Sequence, residues 1–124
     1  MNPISIQFSF TPQPWPRARV RATKRGLSFF RPGRYLKYLD DIGILMKQIH
    51  CPCVAEVEFA LEFQFYLPKA IYGRTDVDNL VKAFMDAGQL ILWENDKQIK
   101  KITAEKFKSS AAQGSTILFI TLLR

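Results

Sequence analysis

The chain has 124 residues, a hydrophobic fraction of 48% and a formal net charge of +7. That length can build one hydrophobic core, and the apolar residues are spread along the whole chain, which excludes extended disorder. We therefore expect a single domain over residues 1–124. The sequence shows neither a secretory leader nor a run long enough to span a bilayer, which predicts a cytoplasmic protein with no membrane partner.

The first thirty residues have the patterns of strands. Residues 4–10 alternate apolar and polar side chains, which predicts a half-buried strand. Residues 11–16 contain three prolines, which cannot donate to a strand ladder and predict an extended connection. Residues 19–23 and 27–30 flank a short linker that contains glycine, so we predict a β-hairpin.

Residues 32–49 repeat apolar side chains at intervals of three and four, which predicts an amphipathic helix. Its expected apolar face comprises Tyr35, Leu36, Leu39, Ile42, Leu45, Met46 and Ile49. The chain then reads His50, Cys51, Pro52, Cys53, and it contains no other Cys or His. Three possible ligands are fewer than the four of a structural zinc site, and the two thiols are too close for an ordinary disulfide. We predict a loop with reduced cysteines.

The second half of the chain predicts three more strands and one more helix. Strands are expected over residues 54–67, over 98–108 with a register break near Lys101, and over 116–123. A helix from Asp78 to about residue 90, with Asp78 as its N-cap, lies between the first two of them. This order predicts an α/β fold, a mixed β-sheet packed with two main helices.

One acidic cluster interrupts this basic chain, and it consists of Asp76, Asp78, Asn79, Lys82, Asp86, Asn95 and Asp96. Carboxylates on a surface that attracts nucleic acid repel phosphate unless a cation stands between them. Carboxylate oxygens favour Mg²⁺, with Mn²⁺ as a possible substitute, and such an ion activates water and polarises a phosphodiester. The cluster therefore suggests a metal-dependent nuclease.

The sequence spacing places these residues in different elements of the predicted fold. Asp78, Lys82 and Asp86 are spaced at intervals of four, so they share one stripe of the predicted helix. There Lys82 would stabilise negative charge on a phosphate. Asp96 follows in a turn and joins Asp76 and Asp78 only if the fold brings it back. The competing interpretation is structural: a helix cap, a solvated stripe of salt bridges and an ordinary turn.

Basic residues concentrate between residues 17 and 37, where eight cations occur without one acid. Arg17, Arg19 and Arg21 share a strand face by the two-residue period, which suits contact with a DNA backbone. The predicted DNA contacts are Arg17, Arg19, Arg21, Lys24, Arg25 and Arg74. A second basic group follows the acidic cluster at Lys97, Lys100, Lys101, Lys106 and Lys108. The alternative is an edge strand protected by its own charge.

Three segments, Asp76-Val77-Asp78-Asn79-Leu80-Val81-Lys82, Asp86-Ala87 and Asn95-Asp96-Lys97-Gln98-Ile99, resemble the RusA-like family of Holliday junction resolvases. The resemblance implies a small α/β homodimer from bacteria or their phages that cuts four-way or other branched DNA with a divalent metal. It implies that Asp76, Asp78 and Asp96 hold the metal and that Lys82 is catalytic. Asn95 departs from members that have an acid there, and the role of Asp86 is left open.

Two functions of other classes compete with this one. A noncatalytic module that binds branched DNA through the basic ribbon needs the acids only as caps and braces. An inhibitor or adaptor would instead turn its positive surface towards an acidic protein partner.

Overall fold

The computed structural model describes residues 3–14, 33–49, 57–89 and 91–123 in full, and residues 19–23 and 26–30 by their backbone. The loop predicted at His50, Cys51 and Cys53 lies outside the described residues. None of the helices described is long and apolar enough to cross a membrane. The cytoplasmic location stays a prediction.

Six strands and three α-helices make up the described fold, with one short 3₁₀ helix before the fifth strand. The strands are β1 (Ile4–Phe8), β2 (Arg19–Thr23), β3 (Gly26–Phe30), β4 (Glu58–Pro68), β5 (Ile99–Ser109) and β6 (Ser115–Leu123). The helices are α1 (Gly33–Met46), α2 (Lys69–Tyr72) and α3 (Val77–Gly88), and the 3₁₀ helix is Asp96–Gln98.

Four strands form the main sheet in the order β1-β6-β4-β5. Only the β4–β5 pair is parallel, while β1–β6 and β4–β6 are antiparallel, so the predicted mixed α/β fold is confirmed. The predicted register break is also present, since Phe59 pairs with Ile99 but Ala60 pairs with Lys101. β2 and β3 pair separately as the predicted antiparallel hairpin.

The core lies between one face of this sheet and the helices. Alternate β4 residues, from Phe59 to Leu67, are at most 2% exposed. The Phe84 ring of α3 joins the layers, because its centroid lies 5.0 Å from Phe8, 5.4 Å from Phe63 and 5.9 Å from Phe65. Burying each such ring contributes roughly 1.5–3 kcal/mol. α3 is thus fixed against the sheet that carries its two flanking strands.

Two details of the helices differ from the prediction. The buried stripe of α1 runs through Tyr35, Tyr38 and Ile42, whereas Leu36 is 49% exposed, so placing Leu36 on the buried face was wrong. Tyr38, which the prediction left off this face, is 3% exposed and belongs to it, and it lies two residues from Leu36, nearly on the opposite side of the helix. α2 was not predicted, because a single turn is too short to show a helical period.

Candidate active site

The predicted catalytic residues all lie in one crossover. β4 and β5 are adjacent and parallel, and the chain between them, residues 69–98, contains α2, α3 and the 3₁₀ helix. Such crossovers commonly present functional side chains at the carboxyl ends of the strands they connect. Asp76 comes shortly after the carboxyl end of β4.

Asp76 is the N-cap of α3, in extended conformation, and Asp78 lies in the first turn. The N-cap predicted at Asp78 is therefore wrong. The helix begins earlier because the Leu80 N–H already donates to the Asp76 carbonyl, at 3.3 Å. Both carboxylates are exposed, and the hydrogen bonds and ion pairs among the described residues give neither a protein partner. Two solvated carboxylates therefore stand at the positive end of a helix dipole.

A lysine from β5 fixes the loop that leads to Asp76. Lys106 Nζ donates to the Tyr72 carbonyl at 2.8 Å and to the Thr75 carbonyl at 2.9 Å, and it lies 4.5 Å from the centre of the Tyr72 ring. Thr75 is buried and donates its hydroxyl to the Ile71 carbonyl at 2.7 Å. Lys106 was grouped with the basic residues of the sequence, but its ammonium group binds this loop. We call it the Lys106 clamp.

The exposed face of α3 has the predicted stripe. Asp78, Lys82 and Asp86 are all exposed, while Leu80 and Phe84 on the other side are fully buried. Lys82 therefore lies one turn along the same face as Asp78, on the solvent side of the helix.

The turn that carries Asp96 is rigidly built. The Gln98 side chain is buried, accepts from the Glu94 and Asn95 N–H groups at 2.8 Å each, and donates to the Val57 carbonyl at 2.8 Å. Asn95 completes a capping box with Gln98. The fully buried Trp93 donates its indole N–H to Asp96 Oδ1 at 2.9 Å. One oxygen of the exposed Asp96 is therefore held in place.

Asp96 and Asp76 lie at opposite ends of the crossover. The Gln98 side chain ties the Asp96 turn to Val57, just before β4 begins, whereas the Lys106 clamp ties the Asp76 loop to the far part of β5. Between them α3 spans 12 residues, which corresponds to about 18 Å. Within the described parts of the chain, no three Asp, Glu, His or Cys side chains form a group able to hold a metal ion. The shared site of Asp76, Asp78 and Asp96 stays a prediction.

Comparison with known families decides the class of this chain. The family model of endodeoxyribonuclease RusA matches residues 9–117, which is most of the chain. The chain belongs to the RusA family of endodeoxyribonucleases. This confirms the resemblance found in the sequence and supports a nuclease whose family acts on Holliday junctions. No individual curated protein matches the chain.

The predicted DNA contacts of this RusA-family chain are only partly described. Arg19 and Arg21 lie on β2, as predicted, but their side chains are outside the description, and Arg17, Lys24 and Arg25 are outside it entirely. Arg74 is exposed two residues before Asp76.

Three residues that hold the loops of the candidate site were not assigned this role from the sequence: Trp93, Gln98 and Lys106. The pair Asn95 and Gln98 has the spacing of a capping box and could have been found. Lys106 contacts carbonyls more than thirty residues away, so no local pattern reveals it.

Proposed function

We propose that this chain is a Mg²⁺-dependent endodeoxyribonuclease that resolves four-way DNA junctions by paired cuts. The observation that carries the proposal is the pair of exposed carboxylates, Asp76 and Asp78, held at the start of α3 in a chain of net charge +7. The RusA family match over residues 9–117 supports the reaction class. The bacterial or phage origin stays a prediction.

The donor chemistry of Asp76 and Asp78 fits a hard divalent ion. Their oxygens are solvated and free of protein partners among the described residues, so binding Mg²⁺, or Mn²⁺ in its place, breaks no existing bond. When bound, the ion supplies Lewis-acid activation of the phosphodiester and of water. We assign Asp96 to the same site, although within one chain it follows the far end of α3 and forms no metal-binding group with them among the described residues.

The other residues bind and orient the DNA. Lys82 lies one turn from Asp78, where its ammonium group stabilises negative charge that develops on the phosphate. The Lys106 clamp acts on the protein alone, because it fixes the backbone before Asp76 and so limits where that carboxylate can lie. Arg74, together with the basic hairpin of Arg17, Arg19, Arg21, Lys24 and Arg25, supplies charge for the DNA backbone.

We also propose a homodimer. Symmetric resolution needs two cuts, and a two-fold dimer supplies one site for each. The position of Asp96 adds a structural reason, because a second copy is the means by which an acid at one end of α3 reaches the pair at the other end. In this arrangement each site takes Asp76 and Asp78 from one subunit and Asp96 from its partner.

The test is cleavage of an end-labelled four-way junction and a matching linear duplex, with Mg²⁺ or with EDTA. We expect paired nicks in the junction alone, requiring Mg²⁺ and absent from Asp76→Asn. Asp40→Asn is the matched control, since Asp40 is an exposed carboxylate on α1, and it should cut like the wild type. Junction binding without cleavage under any metal condition would instead support the noncatalytic DNA-binding module.

A further inference from the structure

A groove of about 470 Å³ lies beside the loop that ends at Asp76. It is lined by the proline segment, with Pro12 and Pro14, by Arg74 and Thr75, and by Arg34 from the start of α1. The volume is within the range of about 300–1,000 Å³ that is typical of ligand sites. The groove reaches the residue immediately before Asp76.

The charge of the groove selects for an anion. Among the described residues its lining includes two arginines, Arg34 and Arg74, and no acidic side chain. Both arginines are exposed, and no described residue forms an ion pair or hydrogen bond with either guanidinium. A guanidinium group donates two parallel hydrogen bonds to a phosphate, so this pair suits a phosphodiester of the DNA on which the proposed function depends.

Two segments that line the groove are held by hydrogen bonds within the protein itself. The Lys106 clamp binds the carbonyls on either side of Arg74, those of Tyr72 and Thr75. At the proline segment the Gly114 N–H donates to the Thr11 hydroxyl at 2.9 Å, which fixes the start of that segment. Little ordering is then required on binding, and this favours affinity.

We propose that this groove binds a backbone phosphate of the DNA strand that flanks the phosphate to be cut, with Arg34 and Arg74 as its ligands. The inference rests on the proposed function for the position of the cut. The groove sets the register of the strand, because a phosphate held between the two arginines lies at a fixed offset from Asp76. Arg34 lies in the basic segment of residues 17–37 but is not among the six DNA contacts predicted from the sequence, and the groove adds it to them.

The test measures junction affinity against salt concentration, in EDTA, for the wild type, Arg34→Gln, Arg74→Gln and the double variant. Each lost phosphate contact lowers the salt slope by about 0.9, so the drop in affinity between 50 and 200 mM salt should shrink by about 3.5-fold per arginine and about 12-fold for both. Lys47→Gln is the control, since it removes an exposed charge just beyond the end of α1, outside the groove.

A second measurement places the contact on the DNA. Single phosphates of the junction are replaced one at a time by neutral methylphosphonates, and wild-type binding should weaken at one position near the cut. The double variant should be insensitive at that position only, whereas Lys47→Gln should keep the wild-type sensitivity. Equal sensitivity of the double variant and the wild type at every position would overturn the groove proposal. Wild-type cleavage is measured separately, so loss of the groove effect with cleavage intact leaves the nuclease proposal standing.

Discussion

Complementation between two inactive variants tests whether the site is shared between subunits. Asp76 lies at the start of α3, a helix about 18 Å long, and Asp96 follows beyond its other end, whereas ligands of one metal ion lie within a few ångströms of each other. If two copies share each site, Asp76→Asn and Asp96→Asn should each be inactive alone. A mixed dimer of the two contains one site with all its acids and one with none of the replaced acids.

The activity expected of the mixture follows from random pairing of the two kinds of subunit. After denaturation and joint refolding of equal amounts, about half of the dimers are mixed and each has one complete site, so about a quarter of the wild-type sites return. The assay is nicking of a labelled junction, alongside Mn²⁺ binding measured by electron paramagnetic resonance. Nicks should occur in one strand per junction. An inactive mixture, with a wild-type sample that refolds and cuts, would refute the shared site and place Asp96 outside the metal-binding set.

Three further predictions concern the residues that hold the site. Lys106→Met leaves two carbonyls without their charged donor, so urea unfolding should show a free energy of unfolding lower by roughly 1.5–3 kcal/mol. The same variant should need a higher Mg²⁺ concentration for cleavage. The control Lys101→Met should change neither quantity. Trp93→Phe keeps a buried ring but removes the indole donor, so we expect about 1 kcal/mol lower stability and a lower cleavage rate at unchanged junction affinity. In Gly88→Ala the new Cβ would lie 2.4 Å from the Trp93 ring, so the free energy of unfolding should fall by about 1–3 kcal/mol. Gly33→Ala is the control, because its Cβ meets open space and should stabilise α1 slightly. Equal shifts of the melting temperature in the two variants would contradict this packing.

The sequence predicted the elements whose cause is local. β4 alternates along its length because one face meets the helices, and the break near Lys101 interrupts the same alternation in β5. The exposed stripe of α3 was equally visible from intervals of four. The start of α3 was misplaced, because Asp76 and Asp78 are equally good N-caps by type and only backbone conformation separates them.

The spatial relation of the acids had no local signal. The motif identifies the acidic side chains but not their positions in space. Because β4 and β5 are parallel, the crossover starts at one end of this strand pair and ends at the other, so Asp76 and Asp96 lie at different ends. The role of Lys106 was hidden for the same reason, since its charge suggested phosphate while its position in β5 directs it to the Tyr72 and Thr75 carbonyls.

The Lys106 clamp comes from a strand at the edge of the main sheet. Among the described strands β5 pairs with β4 alone in that sheet, so its opening breaks one ladder of hydrogen bonds, whereas an interior strand such as β6 must break two. Each local opening of β5 also withdraws Lys106 from the loop before Asp76, so strand fluctuation and order at the site are thermodynamically linked. If DNA engages the ordered loop as proposed, amide hydrogen exchange along β5 should slow, in a strand that need not touch the DNA at all.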